Sequence, residues 1–364
     1  MRHAIALLTP LAALLALAAP AAAGPSAEAF ASVNAALAEN HIRPRYERLS
    51  AAAEEFEAAV EPLCARPDSS TLSGAEAGFQ SLMDAWMSAE HLRFGPAESF
   101  MRMHRFHFWP EAQGKVGKAI AKRLAAEGAA STAPFRDASA AVQGLLAAEF
   151  LLYDQNALVP APAPAPAQCS LLSTIAGNMR GMATGMASDW WSGADPFIAR
   201  LASPGPENPY FESHGEAALA FLKSLHDGLQ RIVDLKIAPV IGKDAGKVRP
   251  NLAESRLTGR SLWNIVLNLE ALQELYTGGA GPGLAALLPK SEHKLERLLR
   301  KGFRATLATA ESIEGPLESA AADPAQRKTV EKLRVQAQAL RQIVRDRLAK
   351  ALDLPLGFNA LDGD

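Results

Sequence analysis

Helical periodicity, interrupted at intervals by proline and glycine, constrains this chain more than any other feature. Apolar residues recur at i, i+3 and i+4 through residues 26–63, 75–94, 114–127 and 137–153, and again through 170–191, 215–235, 257–277, 289–319 and 324–352. Between these stretches stand a polar segment at 66–73, Gly95-Pro96, a loop holding Pro196, Pro204, Pro206 and Pro209, and a glycine-rich run at 278–283. Pro44 marks a kink or restart inside the first stretch. Ala and Leu dominate, aromatic residues are only 6% and β-branched runs are few, so helix is the expected state almost throughout. With 49% hydrophobic residues the chain can build a proper core.

The tract 159–167 alternates Pro and Ala, which cannot be helical and reads as a semi-rigid connector. It divides the chain into an N-terminal helical domain (24–158), a linker (159–168) and a C-terminal helical bundle (169–364). The expected fold class is all-α, with two antiparallel helical-bundle domains. His41-Ile42-Arg43-Pro44 and Lys236-Ile237-Ala238-Pro239 form a faint echo between the halves. Residues 1–23 read as a signal peptide: Arg2 and His3, an uncharged Leu/Ala run, then Ala21-Ala22-Ala23 before Gly24. The expectation is a soluble periplasmic protein with no transmembrane segment in the mature chain. In an oxidising compartment Cys64 and Cys169 most simply form one disulfide, the alternative being two buried or free thiols. A formal charge of -2 gives no electrostatic grip on nucleic acid or an anionic membrane.

Glu149 interrupts an apolar helical stripe made of Val142, Leu145, Leu146, Leu152 and Tyr153. Burying an unpaired carboxylate costs several kcal/mol, so such a site needs a cation, hydrogen-bond donors or a raised pKa. The alternative is a glutamate that reaches past the stripe to water.

Five segments then fall into register: WMSAEHLRFGP from Trp86, RFHFWP from Arg105, GLLAAEFLLY from Gly144, GRSLWNIVLNL from Gly259, and the tail GFNALDGD. Together, behind a signal peptide, they resemble the imelysin-like family of bacterial envelope proteins over nearly the whole mature chain. The resemblance implies two helical bundles packed around an inter-domain cleft, with the candidate site in that cleft. The family's Gly-x-His-x-x-Glu motif falls on Gly144, Leu146 and Glu149, so the glycine and glutamate match and the histidine is replaced. Imidazole and carboxylate three residues apart would share a helix face, as two metal ligands or as a base and its orienter; leucine can do neither.

The matched segments also carry His91, Arg93, Arg105, Arg260, Ser261 and Asn264. Arginines there can pair with Glu149 as a structural ion pair, or join Asn178, Ser261 and Asn264 in holding an anionic or chelated ligand. The tail acids Asp362 and Asp364 either dock into that cleft or extend into solvent. His104 and His107 would share a face if their segment is helical, but Arg102 and Arg105 beside them disfavour a metal, so packed or surface histidines are the preferred reading. Met101 and Met103 read as core filler and Trp190-Trp191 as packing at a bundle end.

No His-Glu-x-x-His pair, Gly-x-Ser-x-Gly elbow or Cys-x-x-Cys-His haem site is present. The resemblance implies an association with iron-regulated uptake, and the leading expectation is a non-catalytic accessory in iron acquisition that binds a ligand or a metal, iron or another divalent ion, with Glu149 as the metal contact. Partners would be membrane iron-uptake proteins or haem-containing electron-transfer proteins. The alternative is a metal-dependent peptidase of the imelysin type, which Leu146 weakens.

Overall fold

The computed structural model describes residues 24–111, 114–126, 134–154 and 166–357. The expected signal peptide, most of the Pro/Ala tract and the tail with Asp362 and Asp364 lie outside them. Among the described residues every regular element is helical, as the periodicity requires. The chain runs through α1 (Ala27–Leu37), α2 (Arg43–Ala65), α3 (Ser69–Ala89), α4 (Arg102–Phe106), α5 (Lys115–Ala125), α6 (Gly144–Tyr153) and α7 (Pro166–Trp191). It continues through α8 (Phe197–Ala202), α9 (His214–Gln230), α10 (Ala238–Ile241), α11 (Ser261–Thr277), α12 (His293–Glu311), α13 (Leu317–Ala322), α14 (Arg327–Ile343) and α15 (Ala349–Ala351).

Helix α2 packs against both α3 and α7, while α11 packs against α3, α9 and α12, and α14 against α12 and α9. The buried apolar side chains form one continuous cluster from Phe30 to Leu354. Helix α7 follows the Pro/Ala tract in sequence, yet its main contacts are with α2 and α6 before it. It already begins at Pro166, because proline's fixed φ suits the first turn of a helix, so positions 166–168 of the expected linker are helical. Among the described residues no helix is long and apolar enough to cross a membrane.

Several boundaries shift for local reasons. The segment 66–73 is not all loop: the Asp68 carboxylate accepts from the Thr71 amide at 2.9 Å, Thr71 Oγ1 accepts from the Asp68 amide at 3.0 Å, and this box starts α3 at Ser69. Helix α6 starts only at Gly144, whose φ is +70°. A Cβ there would sit 2.2 Å from the Phe106 carbonyl oxygen and 2.4 Å from that of Arg105, so only glycine fits. Pro44 and Pro239 do not end their helices. Each follows a wide π-turn, at Ala38–Ile42 and Arg231–Ile237, in which the residue before proline donates to the carbonyl five positions back: Arg43 to Ala38 and Ala238 to Val233. Proline has no N–H to donate four positions back, and the wider turn accommodates that loss. The faint sequence echo thus marks two equivalent turns, and His41 and Lys236, at matching positions, are both buried.

Cys64 at the end of α2 and Cys169 in the first turns of α7 are joined in a disulfide with a sequence separation of 105. Closing a loop of that length restricts the unfolded chain, worth roughly 4 to 5 kcal/mol on the chain-entropy model. Replacing both cysteines with serine is expected to lower the unfolding free energy in urea by several kcal/mol without removing helical circular dichroism; an unchanged midpoint would contradict this.

Candidate functional site

Glu149 is buried as its place in the stripe requires, and a cleft of about 150 Å³ opens beside it. Leu146 and Phe150 of α6, Val116 of α5 and Trp109 form the side before the Pro/Ala tract, and Asn251, Ser255 and Leu257 face them from the segment leading into α11. The carboxyl is held from that second side. Its Oε1 accepts from the Thr258 amide at 3.1 Å and from Thr258 Oγ1 at 2.8 Å, and the hydroxyl also contacts the Ser255 carbonyl at 3.0 Å. Among the described residues no arginine pairs with it; Arg256 at the rim is exposed and acts only through its field. Burial therefore dominates and pushes the Glu149 carboxyl up to about 7, against the Thr258 hydrogen bonds that favour the ionised form.

Behind the cleft wall lies a second acidic pair. Lys236 Nζ donates to Glu90 Oε2 at 2.8 Å and to Glu254 Oε2 at 2.7 Å, and all three side chains are buried. Arg231 reaches the other Glu90 oxygen at 3.0 Å, Asn268 donates to Glu90 Oε2 at 3.3 Å, and Asn264 donates to Glu254 Oε2 at 3.0 Å. Burial alone would raise the Glu90 pKa, but Lys236 and Arg231 outweigh it and hold the carboxylate well below its ordinary range. Glu254 goes the other way: burial, with Glu90 adding repulsion, outweighs Lys236 and raises it. His107 stacks on Trp109, and burial pushes its imidazole down to about 3, so it is neutral. Lys236 also lies 5.7 Å from the Trp109 ring centroid, which links this network to the cleft wall.

Glu90, His107 and Glu254 bring ligand atoms close enough together to hold a metal, and among the described residues they are the one such group. The residues do not fit a resident ion, because the Lys236 ammonium is bonded to both carboxylates where a cation would have to sit, and Arg231 adds a further charge. Among the described residues Glu149 belongs to no such group.

The other expected site residues lie elsewhere. Arg105 donates to Gln143 Oε1 at 3.0 Å and to Asn178 Oδ1 at 3.1 Å, and Asn178 donates to the same Gln143 oxygen, so this set ties α4 to the turn before α6 and to α7. Arg260 pairs with Asp84 and Gln80 across to α3. Ser261 donates to Glu318 at 2.6 Å and accepts from the Leu317 amide at 2.9 Å, joining α11 to α13. Asn264 serves Glu254 and Ser255. None of these lines the Glu149 cleft, because each finds a nearer amide, carboxylate or backbone partner. His91 and Arg93 line a different cleft. His104 and His107 do not share a face: α4 ends at Phe106, His104 is exposed and His107 is buried. Met103 is core but Met101 is 63% exposed. Trp190 is fully buried against Tyr46, Phe94 and Phe197, as the packing reading expects.

The Imelysin (peptidase M75) family model matches residues 42–345. The iron-regulated protein A of Synechococcus elongatus is 23% identical over 292 residues, covering 78% of this chain and 76% of that protein. A crystal structure of an imelysin-like protein from Psychrobacter arcticum 273-4 superposes with a TM-score of 0.75 at 21% identity, over 92% of this chain and 98% of that one. One from Parabacteroides distasonis ATCC 8503, described as a candidate iron-regulated protein A precursor, gives 0.73 at 16% identity, over 91% and 97%. At these identities the structures show the shared fold.

A raised Glu149 pKa has a defined sign. Between pH 4.5 and about 7 the unfolded chain releases this proton while the native state keeps it, so stability falls as pH rises through that window, by about 3 kcal/mol for a shift of this size. Buried His41, pushed down to about 4, works oppositely and loses stability as pH falls from 6.5. The difference between wild type and Glu149→Gln in urea unfolding isolates the glutamate: wild type should lose stability relative to the variant as pH goes from 4.5 to 7.5. A flat difference would refute the raised pKa.

Proposed function

The chain belongs to the imelysin family, and on that premise we propose that it is a periplasmic, non-catalytic ligand-binding accessory of iron acquisition, its ligand seated in the cleft at Glu149. The observation that carries this reading is the state of Glu149 itself. It is a buried carboxyl with one oxygen fixed by Thr258 and, among the described residues, no counter-ion and no metal-ligand group that includes it. Where the family motif has histidine this chain has Leu146, which lines the same cleft and makes it more apolar.

Such a cleft suits a small ligand with an apolar body against Trp109, Leu146 and Phe150 and an oxygen or nitrogen against the second Glu149 oxygen. A carboxyl titrating near 7 can donate in its protonated form and accept in its ionised form. The iron connection rests on the name of the Synechococcus relative, and the periplasmic location on the apolar, alanine-ended N-terminus. Delivery to a membrane iron-uptake or haem-containing electron-transfer protein belongs to the same proposal.

Two measurements on purified, chelator-treated protein and its host test it. Titration with Fe²⁺, Fe³⁺ and Zn²⁺ followed by a peptide-cleavage assay is expected to give no cleavage under any metal. A strain lacking the protein should grow poorly when iron is scarce, be rescued by wild type and fail to be rescued by Glu149→Gln. Cleavage that requires metal and disappears in Glu149→Gln would establish the peptidase instead, and full rescue by Glu149→Gln would remove the site.

A further inference from the structure

Phe100 and Met101 stand apart from the core. Both are large apolar side chains left in solvent, Phe100 at 76% and Met101 at 63% exposure. Each has a φ of +56°, in the left-handed region that residues with a Cβ seldom occupy. They sit in consecutive tight turns: the Met101 amide donates to the Glu98 carbonyl at 3.2 Å, and the Arg102 amide donates to that of Ser99. Arg102 then turns inward and anchors the end of the loop, its guanidinium donating to the Pro96 carbonyl at 3.0 Å and to Asp189 at 2.6 Å. One residue further on, α4 carries Met103 into the core. Two methionines two positions apart are thus in opposite environments: Met101 lies outside the apolar cluster, and Met103 is inside it at 6% exposure.

The other methionines sharpen the contrast. Met83, Met87, Met179, Met182 and Met186 are all buried members of the core, none more than 5% exposed. A thioether reacts with hydrogen peroxide through a lone pair on sulfur: the sulfur takes one oxygen, the O–O bond breaks, and the other oxygen leaves as water. Sulfur is oxidised by two electrons and the peroxide is reduced by two. The attack needs open approach to the sulfur, and the polar sulfoxide that results is costly inside an apolar core. Met101 meets both conditions, and the six buried methionines meet neither.

We propose that Met101 is a modification site: hydrogen peroxide converts it selectively to methionine sulfoxide, in a form that the fold tolerates and that methionine sulfoxide reductases can reverse. Its exposed sulfur gives oxidant and repair enzyme the same access, and the added oxygen disturbs no core contact. Met101 is not among the residues lining the Glu149 cleft, so the site stands whether or not that cleft binds a ligand.

Peptide mapping by mass spectrometry after graded exposure of the full chain to hydrogen peroxide tests this, and Arg102 lets trypsin separate Met101 from Met103. Met101 should gain one oxygen about ten-fold or more faster than any of the six buried methionines. Met101→Leu, a change at an exposed position that keeps an apolar side chain, should abolish this first oxidation and leave the others as slow as before. The singly oxidised protein should keep its near-ultraviolet circular dichroism and its urea midpoint, and the two stereospecific reductases together should return it to its starting mass. Oxidation of Met103 or any other buried methionine as fast as that of Met101, a lowered urea midpoint in the singly oxidised form, or a product that the reductases leave unchanged would each overturn the proposal.

Discussion

One internal cation sets the charge balance on which the middle of this molecule depends. Lys236 lies between Glu90 at the end of α3 and Glu254 in the irregular segment before α11, and its side chain is almost completely buried. Removing it would leave two buried carboxylates facing each other, a far larger penalty than the loss of a surface pair. The wide turn that carries Lys236 is forced by Pro239, so a backbone consequence of proline delivers the charge. Because Glu254 anchors the 253–258 segment from behind, the same cation fixes the wall from which Thr258 holds Glu149.

The contrast between the two acidic sites gives each its chemistry. Lys236 and Arg231 are both engaged with Glu90, Lys236 alone bridges to Glu254, and neither reaches Glu149. Glu149 is left with two hydrogen bonds to a single oxygen, and its burial raises the carboxyl to about 7. Where the family motif has histidine this chain has Leu146. Leu146 can act neither as a metal ligand nor as a base, and it lines the cleft instead.

Much of this was legible in the residues. Helix content, the disulfide and the burial of Glu149 followed from periodicity, compartment and an acid placed in an apolar stripe. Lys236 carried the same signal, since Leu229, Ile232, Val233 and Val240 surround it at helical spacing, and Glu90 follows Trp86 and Met87 in the same way. Those two charges in apolar faces went unread. Glu254 and Thr258 gave no signal, because the segment that bears them has no period to break. The arginines misled for a different reason: Arg105 and Arg260 sit in the motifs but bond amides and an aspartate that only the tertiary packing brings near. His104 and His107 are a surface and a packed histidine, as preferred, because the chain leaves α4 at Phe106.

The protonation state of Glu149 is where these strands meet, and carbon-13 NMR of the side-chain carboxyl reads it without relying on unfolding. With Glu149→Gln used to assign the resonance, the titration midpoint should fall near 7. A midpoint near the ordinary 4.5 would mean that water or a cation stabilises the carboxylate, and a buried acid without a counter-ion among the described residues would be the wrong picture of Glu149.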